Sequence, residues 1–212
     1  MNYRPGKFDT TLTGMLHKLK MIQLITDNIG NTSTVAYKRQ IPESLSFESV
    51  LNQTAMRDNS QGQIKKSTSK FDLAIEGNAY FLVESDNGLI PTKNGRLQLN
   101  EKGELVNLEG QKVIVVEKTD KDINLAKESE IHINQNGEIF IGTERYGRIA
   151  MQILDNKSVK VHQGYIEGSN VNLTNEMVSL AMAFRAFEAS EKILGLESSV
   201  DKDLIEKYGR NV

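Results

Sequence analysis

From about Thr11 to Ile29, the apolar positions Leu12, Met15, Leu19, Ile22 and Ile29 recur at helical spacing and share one side of a predicted helix. Leu16, Met21, Leu24 and Ile25 widen that stripe. The helix is expected to stop near Asn28-Ile29-Gly30-Asn31, with Gly30 taking the left-handed conformation that ends helices. A polar stretch to Lys70 has weak apolar periodicity and reads as an extended connector.

From Phe71 the texture changes to short runs of Ile, Val, Leu, Phe and Tyr. Turn signals separate them at Asn87-Gly88, Asn94-Gly95, Lys102-Gly103, Glu109-Gly110 and Asn136-Gly137, a spacing that predicts antiparallel hairpins. Candidate strands are Asp72–Ile75, Tyr80–Glu84, Arg96–Leu99, Leu105–Asn107, Lys112–Val116, Glu130–Ile133, Glu138–Ile141, Gly147–Ile153 and Val159–His162.

Asn172 to about Leu196 predicts a second helix, capped by Asn172 or Thr174 with Glu176 in the first turn. Leu173, Met177, Leu180, Phe184, Phe187 and Leu194 follow steps of four and three, a heptad seam interrupted at Glu191. Met182, Ala186, Ala189 and Ile193 repeat those steps on a different face, so this helix calls for more than one neighbour. The domains expected are an N-terminal assembly helix over 1–31, a connector over 32–70, an antiparallel β domain over 71–163, and a C-terminal assembly helix with its tail over 164–212. The fold class is α+β, the terminal helices forming a coiled-coil-like assembly domain.

Composition narrows the function. The chain has 212 residues, long enough for a sizeable core, but only 38% are hydrophobic, below the usual globular share. A net charge of −2 with no basic block argues against nucleic acid as a partner. No apolar run is long enough for direct membrane insertion, and the opening residues lack the apolar core and cleavage site of a secretory signal. The absence of cysteine removes disulfides and thiolate chemistry.

Catalytic candidates are sparse. Glu76, Glu84 and Asp86 could in principle pair as the carboxylates of a glycan hydrolase, but they stand at strand ends in a charged context, where solvated faces are the ordinary explanation. His17, His132 and His162 are isolated, without partners at zinc-binding spacing. No nucleophile elbow, phosphate loop or dinucleotide fingerprint is present. The expectation is a non-enzyme with no metal and no cofactor.

Three stretches, in order, carry a resemblance. The opening helix and its exit contain Gly14-Met15-Leu16, Asn28-Ile29-Gly30-Asn31, Thr34, Tyr37, Lys38 and Arg39. The far end contains Gly164, Glu167, Ser169-Asn170-Val171-Asn172, Glu176-Met177-Val178 and Arg185-Ala186-Phe187-Glu188-Ala189. Between them lie FDLAIEGNAYFLV and TKNGRLQLNEKGELVNLEGQKV. Together they resemble the N-terminal, C-terminal and β-domain signatures of flagellar rod and hook axial proteins. The chain departs from that pattern at Ala36, where the family usually has glycine, at Pro91 and at Gln135-Asn136-Gly137, and its stretch from Asp155 to Gly164 is short. Its tail Glu206-Lys207-Tyr208-Gly209-Arg210 is similar to those of some rod proteins, and the overall shortness argues against a hook protein.

The resemblance implies a structural subunit of the basal-body rod, proximal rather than distal, self-assembling helically to transmit torque. Partners would be other copies of itself, adjoining rod or hook proteins and the flagellar type III export apparatus. The location would be the rod as it crosses the periplasm or cell wall, reached without a cleaved signal. Assembly is expected at Leu12, Met15, Leu19, Ile22, Asn28, Asn31, Asn170, Asn172, Met177, Leu180, Phe184, Arg185, Phe187, Glu188 and Leu194. One apolar seam would join the two helices of a subunit and the other would meet adjoining subunits. The alternative is a secreted oligomeric binding module with coiled-coil ends.

Overall fold

The computed structural model describes residues 7–42, 55–86, 88–119, 125, 130–155 and 158–208. Asn87 of one turn signal and Gly209-Arg210 of the tail lie outside them. The protein is α+β, with helix α1 (Lys7–Gly30), fifteen short strands and helix α2 (Leu173–Tyr208) among the described residues. It divides into two compact units.

The helical unit gathers the described parts of Met1–Thr32, Arg39–Asp58 and Val171–Val212. In it α1 packs on α2, and β1 (Gln40–Pro42) pairs antiparallel with β2 (Ala55–Arg57). Gly30 remains helical rather than turning left-handed. The end is made instead by Asn31, whose side-chain Nδ2 donates to Asp27 O at 2.8 Å, and by the Thr32 N–H on Ile29 O. At the start of α2, Asn172 Oδ1 accepts the Asn175 N–H at 3.0 Å, so Asn172 is the cap. This helix runs well past the predicted stop near Leu196. Gly195 alone costs only about 1 kcal/mol against alanine, and the following residues include no proline or second glycine before Tyr208.

The β unit comprises Ser33–Lys38 and the described parts of Asn59–Asn170. Strands β3 (Ile64–Lys66), β4 (Leu73–Glu76), β5 (Ala79–Ser85), β6 (Gly88–Thr92), β7 (Leu97–Leu99), β8 (Leu105–Asn107), β9 (Val115–Val116), β10 (Ile131–Ile133), β11 (Glu138–Ile141), β12 (Glu144–Ile149), β13 (Met151–Ile153), β14 (Lys160–Gln163) and β15 (Tyr165–Glu167) follow in order. They form a four-stranded sheet β10-β11-β12-β9, a three-stranded sheet β13-β5-β6, and the pairs β14-β4, β15-β3 and β7-β8, every pairing antiparallel. The single run predicted over Gly147–Ile153 is two strands broken at Ala150, whose N–H turns to Ile114 O. The 32–70 stretch is not wholly irregular, since it contributes β1, β2 and β3.

Alternation puts Leu73, Ile75, Phe81, Val83, Val113, Ile133, Ile139, Ile149 and Val161 into one apolar core. One turn is used three times, in Asn100–Glu104, Asn107–Gln111 and Asn134–Glu138. In each, the asparagine Oδ1 accepts the N–H groups two and four residues on, its Nδ2 donates to the acidic or amide side chain four residues on, and a glycine in between has positive φ.

Candidate functional site

The two terminal helices wear their apolar residues outward. On α2 the positions buried against α1 are Glu176, Ala183 and Ser190, spaced by seven and therefore on one face. Facing them on α1 are Leu24, Ile25 and Asn28, and Lys18 Nζ donates to Ser190 Oγ at 2.5 Å. His17 Nε2 and Glu197 Oε2 are also sealed from solvent, without hydrogen-bond partners among the described residues. The covered face of α2 is thus made of small and polar residues, met by Leu24, Ile25 and Asn28 of α1.

The predicted seam is split by this arrangement. Leu180, Phe187 and Leu194 are half-buried, whereas Leu173, Met177 and Phe184 face outward, Phe184 being 47% and Met177 57% exposed. Val178, Met182, Ile193, Leu196 and Val200 form a second outward stripe. Arg185, Glu188 and Lys192 make an exposed polar ridge between the two. On α1, Leu12 and Leu19 are exposed together with Leu16, while Met15 and Ile22 are half-buried. Neither predicted stripe of α2 centres on its contact with α1; a third face of small and polar residues does, because short side chains let the helix backbones approach.

The asparagines are engaged within the chain. Asn28 is buried and bonds Gln40 both ways, Nδ2 to the carbonyl at 2.9 Å and Oδ1 from the N–H at 2.8 Å. Asn31 and Asn172 cap helices, and Asn170 Nδ2 donates to Ser60 O at 3.1 Å.

Two buried carboxylates flank these elements and were not among the expected site residues. In the β unit, Glu167 is fully buried and takes Lys38 Nζ at 2.6 Å and the Gly62 N–H at 3.0 Å on Oε1, with Lys93 Nζ 3.9 Å from Oε2. Lys93 also donates to Gly77 O at 2.6 Å, and burial pushes its ammonium below the ordinary lysine range, Glu167 opposing and Lys38 adding to the shift. In the helical unit, Glu176 takes Arg39 Nε at 2.5 Å and Asn28 Nδ2 at 3.4 Å. Position alone suggested a dipole role for Glu176; the adjacent basic residues Lys38 and Arg39 were the available signal of something more.

The carboxylates weighed for catalysis do not converge. Glu84 and Asp86 are exposed and line an open depression of about 660 Å³ with Glu109, Gln111 and Lys112. Glu76 instead meets His162 Nε2 at 2.8 Å across β4 and β14. No cluster of three metal-ligating side chains occurs among the described residues. Nor does any helix among them have the length and apolarity to cross a membrane.

Comparison with known proteins meets this architecture on both units. Residues 74–141 match the profile described as the flagellar hook protein FlgE/F/G D1 domain, and residues 162–206 that of the flagellar basal body rod FlgEFG protein C-terminal region. The chain belongs to the flagellar rod protein family. Among the relatives of this rod-family chain, the flagellar basal-body rod protein FlgF of Mesorhizobium japonicum is 26% identical over 90% of the chain and 92% of its own length. The basal-body rod protein FlgG of Buchnera aphidicola subsp. Baizongia pistaciae is 25% identical over 86% of the chain and 92% of its own. The flagellar hook protein FlgE of Brucella abortus is 35% identical over half of the chain but only 30% of its own length. The family is one of structural proteins.

Proposed function

We propose that this chain is a structural subunit of the flagellar basal-body rod, a proximal rod subunit in preference to a distal one, that self-assembles helically through its terminal helices and transmits torque. The reading is supported by near full-length relatives named as basal-body rod proteins. The observation that carries the mechanism is the exposure of α2, whose covered face holds Glu176, Ala183 and Ser190 while two apolar stripes, bearing Met177 and Phe184 on one side and Met182, Ile193 and Leu196 on the other, face outward. Outward stripes on two sides of one helix suit contacts with more than one neighbour, in a coiled-coil-like layer. A head-to-tail contact that does not close on itself extends as a helical filament, which is what a rod requires. The preference for a proximal position rests on the sequence Glu206-Lys207-Tyr208-Gly209-Arg210, similar to that of some rod proteins. In this reading the subunit leaves the cell through the flagellar type III export apparatus and meets copies of itself and adjoining rod or hook proteins.

A secreted binding module would use the same helices to close an oligomer of fixed number. Light scattering on the size-fractionated protein separates the two. A monomer that elongates only on a growing structure fits the rod; a stable closed oligomer at micromolar concentration contradicts it.

A further inference from the structure

Lys38 and Arg39 are consecutive, yet each is held by a different buried carboxylate: Lys38 by Glu167 in the β unit and Arg39 by Glu176 in the helical unit. The chain passes from the β unit into the helical unit between these two basic residues, and does so again between Asn170 and Val171, between the two carboxylates. Each of these two passages therefore has one ion pair on either side. In the β unit the same segments are also tied by backbone, the Ala36 N–H on Glu167 O at 2.8 Å and the Asn170 N–H on Tyr37 O at 3.3 Å.

A buried ion pair contributes little net stability against a well-packed apolar pair, because desolvation offsets the attraction, but it discriminates strongly between alternative pairings. Covalent neighbours must slip together. A one-residue slip in one direction sets neutral Tyr37 against Glu167; in the other it sets neutral Gln40 against Glu176. Either way one buried carboxylate loses its principal cation. The Gly62 N–H and the more distant Lys93 do not replace the Lys38 contact on Glu167.

We propose that the Lys38–Glu167 and Arg39–Glu176 pairs are a two-point register lock, fixing the helix-exit segment in each unit by making any slip strand a buried charge. The four residues are positioning residues, and the proposal stands independently of the rod reading, since its readout is the register itself.

The test is amide NMR and hydrogen exchange on the full chain carrying Glu167→Gln and Glu176→Gln together, with Lys38→Arg plus Arg39→Lys as the charge-preserving control. The double glutamine variant is expected to keep protection in the core strands, such as the Ile149 and Val161 amides. The Ala36 and Asn170 amides should exchange about 100-fold faster or give doubled signals. The charge-preserving control should keep one set of signals. A single native set with unchanged Ala36 protection in the glutamine variant overturns the lock. Should that variant fail to fold, Lys38→Met with Glu167→Leu removes the charge without burying a lone polar group. Folding with Ala36 released supports the lock, whereas folding in native register, or unfolding again, contradicts it.

Discussion

Ala36 lies at a φ of 57°, in the left-handed region where a side chain costs about 1 kcal/mol or more, and its N–H is committed to Glu167 O. Ala36→Gly is therefore expected to stabilise the β unit by about 0.5–1 kcal/mol, measured as a raised denaturant midpoint with unchanged slope. Gly62 faces the opposite constraint. A Cβ there would stand 2.0 Å from Gly168 O, so Gly62→Ala should cost about 1–3 kcal/mol in the same titration. Lys93 gives a pH signature. Its folded-state pKa is lowered by burial, so between that value and its ordinary one the unfolded chain holds a proton that the folded chain lacks. Stability should rise with pH across that alkaline window, the penalty being fully present below it. Lys93→Met should flatten this rise in thermal melts, and an unchanged rise would show that Lys93 is not its source. At this scale the sequence was only partly readable. The glycine expected at position 36 by resemblance pointed to the strained φ, but burial of Glu167 depends on strands far apart in the chain, which no local pattern encodes.

Among elements, strands with two-residue periodicity were legible nearly to their ends: Leu105–Asn107 and Glu138–Ile141 occur as predicted. The repeated asparagine-to-glycine turn explains why, since each copy supplies both the turn and its side-chain hydrogen bonds locally. Strands β1, β2, β3, β6 and β15 were not read: β1, β2, β3 and β15 are three residues long with partners distant in sequence, and β6 is an exposed edge strand carrying Pro91. The helices were located correctly, but the inward face of α2 was not. Periodicity finds where apolar residues cluster and cannot say whether a face of Glu176, Ala183 and Ser190 is the one covered within the subunit. That inversion has a consequence for mutation. Ala183→Leu should disrupt the pairing of α1 and α2 by overpacking, by about 1–3 kcal/mol, seen as lost helical circular dichroism, whereas Met182→Leu should leave the isolated protein unchanged.

In the proposed rod, the β unit folds without covalent staples after export and the terminal helices carry assembly. Glu84 and Leu89 stand opposite each other on β5 and β6, and both are exposed. Paired cysteines there, oxidised before export, should block secretion while leaving synthesis intact; normal secretion of the crosslinked form would count against passage of an unfolded chain. Central to everything is the claim that function resides in the outward stripes of the helices. Phe184→Asp puts a charge on one such stripe: in the free subunit it is solvated, but buried against a neighbour it costs several kcal/mol. The deciding measurement is electron microscopy of basal bodies from cells whose only copy carries Phe184→Asp, beside cells carrying Glu84→Lys. The expected result is an exported Phe184→Asp protein with an unaltered β unit and no rod, hook or filament, and assembled rods with Glu84→Lys. Intact rods with Phe184→Asp, together with their loss in Glu84→Lys, would show that the β unit is the working surface.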